Sequence, residues 1–300
     1  MSTTSSEYSG VSPAGTETVT VTVLNTRFGD ALKYQATLSR ILPISSAGHL
    51  ALVGFSEVTP GVRGEAVAAI EGRGYKAIVP EGKGAKIDTV WAVSPGLEVE
   101  PETTTAHPFP GRIASRPGRR QKRHAGMHTI VTTTPGGHKV RATTERLAPP
   151  MRGKGARYMH LGHIASLLDE ITPPDPAIDI DVNGGDQNHA NGPEAADKAL
   201  WSSKGFSPVL AEGTPTYNIE AAGRSAKVAV SIMHLLGHLP TMHFDEIYLR
   251  AGPGHELITG NAVTGDLLPN QIGYTAEIVP VSGTDHHAIE TTLTFAPILG

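Results

Sequence analysis

The chain has no cysteine. That excludes disulfides, thiolate metal sites and a cysteine nucleophile. It has no apolar run of about 18 residues, the length a membrane-spanning helix needs, so no span and no membrane partner are expected. Basic residues do not outnumber acidic ones. The formal net charge of −4 argues against a dedicated nucleic-acid binder. No P-loop occurs, no G-x-G-x-x-G follows a strand, and no G-x-S-x-G elbow is present. The N-terminus is rich in Ser and Thr and has no basic-then-apolar signal, which predicts a cytoplasmic chain. What remains is a Gly- and Pro-rich sequence of 300 residues, enough to bury a sizeable core.

Taken in order, residues 1–16 read as a disordered polar tail and 17–300 as a single domain, with an N-terminal half at 17–145 and a C-terminal half at 146–300. Val19, Val21 and Val23 alternate with threonines at strand period. Residues 28–41 can form a helix. Strands are expected at 77–79 and 89–93, and again at 129–134 and 139–144, where Pro135-Gly136-Gly137-His138 makes a hairpin turn. Ile164, Leu167, Leu168 and Ile171 recur at helical spacing, and Pro173-Pro174 ends that helix. Ile178, Ile180 and Val182 then alternate with Asp179 and Asp181, and the chain is read as turning through Asn183-Gly184-Gly185-Asp186. A helix over 193–201, a short strand from Pro208 and a long helix over 220–239 follow, and the strand at 178–182 is expected to share one mixed sheet, covered by that long helix, with a strand in 272–279 or 286–294.

The string Asn183-Gly184-Gly185-Asp186-Gln187, the string Tyr217-Asn218-Ile219-Glu220-Ala221-Ala222-Gly223 and the tail Ser282-Gly283-Thr284-Asp285-His286-His287-Ala288 resemble, in that order, the C-terminal half of a β-ketoacyl synthase. The resemblance covers about residues 164–294. It implies an α/β, thiolase-like layered fold with mixed β-sheets between helices, its N-terminal half truncated or diverged. It also implies that 47–52 starts a helix ahead of the nucleophile turn. The family's nucleophile position falls at Gly64 or Glu65, its two histidine positions at Gly185 and Asn218, and its lysine at Gly213. None keeps its residue type, so the catalytic set is degenerate and no cofactor or metal is implied. Such a member resembles a chain-length factor in polyketide or fatty acid biosynthesis. Its partners would be a cysteine-bearing ketosynthase in a dimer and an acyl carrier protein, with Arg119, Arg120 and Arg123 of a basic run as the docking patch.

Other residues carry chemistry of their own. Asp186 and His189 share a loop and could pair as acid and base, and His286 or His287 would face the same cavity. Ser45 and Ser46 stand near His49, as a serine-type hydrolase or acyltransferase would need. Leu42 to Leu50 is also similar to the P-I-S-S-x-G-H-L loop of undecaprenyl-diphosphate phosphatases. Those are integral membrane proteins, so that likeness is set aside. His234 and His238 have a chelating spacing on a helix, but no Glu of an H-E-x-x-H site lies between them. Beside the ketosynthase-like reading stand two alternatives. One is a structural or assembly protein with no ligand. The other is a hydrolase or acyltransferase using Asp186 and His189 or Ser46 and His49.

Overall fold

The computed structural model describes residues 16–27, 29–45, 48–81, 87–109, 126–146, 162, 164–165, 168–170, 172–186, 195–211, 214–218, 227, 245–259 and 267–298. Two mixed sheets of seven strands pack face to face. The first runs in the order β12 (Glu256–Thr259), β13 (Gln271–Val279), β14 (Ala288–Phe295), β1 (Glu17–Asn25), β2 (Leu50–Ser56), β4 (Thr89–Val93) and β3 (Lys76–Ile78). The second runs β10 (Ser207–Pro208), β11 (Asp245–Ala251), β9 (Ile180–Asp186), β8 (Lys139–Arg146), β7 (Gly126–Thr133) and β5 (Glu98–Val99), with β6 (Thr105–Pro108) also on β7. Each sheet has a parallel pair near its centre, β1 with β2 and β8 with β9.

Strand alternation decides what lies between the sheets. Val19, Val21, Val23, Leu50, Leu52 and Trp91 of the first sheet meet Val140, Ala142, Ile180, Val182, Ile247 and Leu249 of the second in one core. Each fully buried aliphatic side chain of this kind stabilises the fold by roughly 1.5–3 kcal/mol. The alternate residues of β2, Ala51, Val53 and Phe55, face outward onto α1 (Gln35–Ile41) and α2 (Arg63–Glu71) through Leu38, Ile41, Ala66 and Ile70. That is why β2 is buried along its whole length. The outer face of the second sheet is covered by Ile164, Leu168, Phe206 and α3 (Ala195–Ser203), whose Trp201 stacks on Tyr248 at 4.7 Å.

The layered, mixed α/β character matches the sequence, and so does the β7–β8 hairpin, closed by Thr134 and His138. Other expectations change. The strand at 178–182 does not share a sheet with the segments at 272–279 and 286–294. It lies in the second sheet as β9, whereas β13 and β14 lie in the first. Residues 47–52 do not open a helix, since Leu50 begins the central strand β2. The expected turn at Asn183–Asp186 is the end of β9. Gly185 is there because two backbones approach closely, and Gly184 because the Ile247 and Val23 side chains press on it. A Cβ on Gly185 would lie 2.0 Å from the Glu145 carbonyl oxygen, and its φ is +154°. The 28–41 helix is broken into a 3-10 turn at Asp30–Lys33 and the shorter α1. Residues 1–15 of the expected tail and the helix expected at 220–239 lie outside the described residues, apart from Lys227.

Candidate active site

The inner-face rhythm of each central strand ends on a polar residue. Val19, Val21 and Val23 lead to Asn25. Ile180, Val182 and Gly184 lead to Asp186. Read backwards along β11, Leu249 and Ile247 lead to Asp245. In the first sheet the C-terminal ends of β1 and β2 adjoin the N-terminal ends of β14 and β4, because those pairs are antiparallel. In the second, the ends of β8 and β9 adjoin the start of β11. Asn25 donates from Nδ2 to Asp186 Oδ2 at 2.7 Å, so the two sets of strand ends meet at one end of the sandwich.

Three side chains form the centre. His286 Nδ1 lies 2.6 Å from Asp245 Oδ2, a buried hydrogen-bonded dyad. Asp186 stands within 4.8 Å of both, measured between their ligating atoms. The loop is held from several sides: Asp245 N–H donates to Thr216 Oγ1, His286 N–H donates to Thr284 Oγ1, and Thr284 Oγ1 donates to the Asn25 carbonyl. Burial pushes the Asp186 carboxyl up to about 7, with the Asp245 and Glu57 carboxylates adding to the effect against the pull of His286 and Arg146. Burial alone would lower His286. The Asp245 carboxylate overcomes it, by charge and by hydrogen bond, and raises the imidazole to about 10.

Around this centre lies Arg146, buried at the end of β8. Its Nη2 donates to Glu57 Oε1 at 2.5 Å and its Nη1 to Asp88 Oδ2 at 3.3 Å. Glu57 follows β2 with φ +61°, a left-handed conformation that costs a non-glycine residue energy. Regular alternation would send its side chain outward with Phe55; the backbone turn brings the carboxylate to Arg146 instead. Glu57, Asp88, Asp186, Asp245 and Asp285 gather about Arg146 and His286, an acid-rich set whose oxygens suit a hard divalent cation. The 2.6 Å between His286 Nδ1 and Asp245 Oδ2 is a hydrogen bond, since two ligands of one ion sit about 3 Å apart. Of the cluster of Asp186, Asp245 and His286, Asp186 is the residue that would hold a cation while leaving the dyad intact.

Of the residues singled out in the sequence, Asp186 and His286 come together here. Gly185 brings β9 against β8 and carries no side chain into the site. Asn218 donates its backbone N–H to the Asp285 carbonyl at 2.7 Å. Glu65 is exposed on the first turn of α2. His287 ties its N–H to the Thr216 carbonyl, and burial lowers its imidazole. His49 precedes β2, at the end of that strand opposite Glu57, and lies 3.4 Å from the Tyr75 hydroxyl. Ser46, His189, His234, His238, Arg119, Arg120 and Arg123 lie outside the described residues. Asn25, Glu57, Asp88, Arg146 and Asp245 were not anticipated. The signal that marks most of them is a polar residue in phase with the apolar inner face of a strand.

At the level of sequence no family model matches, and no curated relative does. Solved structures do match. D. rerio TDP2 complexed with a single-strand DNA product is 14% identical over 92% of this chain and 98% of that one, with a TM-score of 0.58. An endonuclease/exonuclease/phosphatase family protein from Bacteroides thetaiotaomicron is 12% identical over 93% and 98%, at 0.58. Sphingomyelinase C from Streptomyces griseocarneus is 14% identical over 92% and 99%, at 0.57. The fold is that of the endonuclease/exonuclease/phosphatase proteins. It is not thiolase-like, so the ketosynthase resemblance is overturned. The link to polyketide and fatty acid biosynthesis falls with it, as do the cysteine-bearing partner, the dimer with it and the acyl carrier protein. The exclusion of nucleic acid also fails, because a protein of this fold is complexed with single-strand DNA.

Proposed function

We propose that this chain is a hydrolase of phosphate esters, and that Asp186, His286 and Asp245 carry the reaction. The supporting observation is the hydrogen-bonded Asp245–His286 dyad facing a buried Asp186 that Asn25 holds. The fold supports the same class, because its members' names include nucleases, phosphatases and a sphingomyelinase. The hydrolase alternative is thus kept, with Asp186 in it but paired with His286 and Asp245.

Water attacks phosphorus, the bond from phosphorus to the leaving oxygen breaks, and one proton moves from the water to the site. With no cation on it, a carboxyl titrating near 7 is suited to take that proton at neutral pH, since its ionised form is then populated. His286 is held as an imidazolium by Asp245, whose hydrogen bond to Nδ1 fixes the ring. Its other nitrogen, Nε2, can donate to a phosphoryl oxygen as charge builds there, and a proton from this end of the site neutralises the leaving oxygen. Arg146 adds a fixed positive charge that Glu57 and Asp88 keep in place. A divalent cation, when bound, would supply Lewis-acid stabilisation of the phosphoryl oxygens.

The test uses the purified chain with bis(p-nitrophenyl) phosphate, p-nitrophenyl phosphate and a single-strand oligonucleotide, each with Mg²⁺ and with a chelator. Turnover of at least one substrate is expected, lost in Asp186→Asn and His286→Ala. Release no faster than in Asp186→Asn, for every substrate under both conditions, would remove the proposal.

A further inference from the structure

Residues 214–218 form a short segment with no regular structure beyond one β-bridge, yet they lace the site together. Tyr217 bridges to His286 through the backbone. The Thr216 carbonyl accepts from His287 N–H at 2.7 Å, and Asn218 N–H donates to the Asp285 carbonyl at 2.7 Å. Tyr217 thereby lies against both members of the Asp285-His286 pair. Its hydroxyl donates to Asp285 Oδ2 at 3.1 Å. Its ring stands 5.2 Å from the His286 ring, at an interplanar angle of 86°. That separation and edge-to-face angle are those at which aromatic rings attract.

We infer that Tyr217 is a positioning residue of this site: its hydroxyl aims the Asp285 carboxylate and its ring fixes the tilt of the His286 imidazole. The inference rests on the phosphoester chemistry proposed above. The geometry explains why a tyrosine is suited to the task. Asp285 follows directly on Thr284, whose hydroxyl holds the Asn25 carbonyl, and it precedes the dyad histidine. A carboxylate on such a loop has two oxygens and a free torsion, and one fixed donor removes the choice of rotamer. Asp245 holds His286 through Nδ1, and that hydrogen bond constrains the direction of the bond more than the tilt of the ring about it. A ring packed edge to face fixes that tilt. Burial raises the phenol, and the neighbouring Asp285 carboxylate raises it further, so the hydroxyl stays protonated and keeps donating across the working pH range.

The alternative is that Tyr217 only packs the loop. Three measurements separate the two. First, Tyr217→Phe keeps the ring and removes the donor. Its kcat on the best nitrophenyl substrate should fall about 10- to 100-fold, of the size of one lost hydrogen bond to a charged group, with KM within about twofold. Second, the same change made in Asp285→Asn should have little further effect, because the hydroxyl would act through that carboxylate. Third, the proton of His286 Nδ1–H in its bond to Asp245 should give a low-field proton resonance. Tyr217→Phe should leave it in place, and Tyr217→Leu should move it by removing the ring current and the packing. An unchanged kcat in Tyr217→Phe overturns the inference, as does an equal fold-loss in the Asp285→Asn background. A resonance unmoved in Tyr217→Leu overturns the ring's part in it. If Tyr217→Leu does not fold, Tyr217→Phe and the double variant still decide. Should the wild-type chain hydrolyse none of the substrates, the proposed activity fails, while the resonance still reads the ring contact.

Discussion

At the scale of single residues, two aspartates on one strand have opposite duties. Asp186 ends β9 on the inner face, where its ionised form is disfavoured. Asp181 lies five positions earlier on the outer face, gripped by Arg141 Nε at 2.5 Å and by Arg250 Nη2 at 2.6 Å. A carboxyl titrating near 7 in the fold and near 4 when unfolded favours the folded state when protonated. That stability is full below about 4 and is lost as pH rises from there through 7. Replacing Asp186 by neutral Asn should therefore raise the thermal midpoint by several degrees while lowering turnover by about 10²- to 10⁴-fold, a trade of stability for function. Asp181→Asn should do the reverse. It leaves two buried guanidinium groups short of a counter-charge, which typically costs about 3–5 kcal/mol, yet kcat at permissive temperature should stay within about twofold. Thermal unfolding and nitrophenolate release on the same two preparations check both.

At the scale of elements, the site depends on strands that end where they do. The Asp186 carboxyl reaches Asn25 because β9 lies flush against β8, and it lies flush because Gly185 has no side chain to strike the Glu145 carbonyl. Gly185→Ala should push β9 away, costing several kcal/mol and most of the activity together, as read from urea midpoints and kcat. Gly184→Ala meets Ile247 and Val23 side chains at 2.9 Å and should be milder, because side chains give more readily than backbone. The strands themselves were legible: alternation in Val19–Val23, the hairpin at Pro135–His138 and the strand at Thr89–Val93 all appear as read. Asn183–Asp186 was misread as a turn because two glycines and an asparagine carry turn chemistry in isolation. Only the neighbouring strands show that Gly185 serves a close approach of backbones and Gly184 one of side chains.

At the scale of the molecule, two buried histidines bend stability in opposite directions with pH. His128 projects between the sheets with neither ring nitrogen partnered among the described residues, and burial, aided by Arg63, lowers it to about 3. The unfolded chain takes up this proton below about 6.5 and the folded chain does not. Stability from His128 is thus full above 6.5 and lost as pH falls from 6.5 towards 3, at up to about 1.4 kcal/mol per pH unit. His286 has the opposite sign. Its folded value of about 10 makes its contribution full below 6.5 and lost as pH rises through 10. Urea midpoints should fall as pH rises above neutrality, through His286. Between about 4 and 6.5 the gain from protonating Asp186 opposes the loss from His128, so His128→Leu, which keeps only the gain, should show midpoints that rise as pH falls through that window.

The sequence by itself determined the period of each strand, and with it which residues could face a core. It also put polar residues in phase with those cores at Asn25, Asp186 and Asp245. The absence of cysteine ruled out thiol chemistry on sequence alone. Which strands share a sheet was decided only by tertiary structure, because alternation is the same whoever the neighbour is. The Asn25–Asp186 hydrogen bond spans 161 positions, and no local pattern encodes that distance. The site exists because two sheets, each with a parallel pair, stack with the ends of those pairs at one edge. There Asp186 and the Asp245–His286 dyad lose solvent together, and burial gives them ionisation properties that neither has in the unfolded chain.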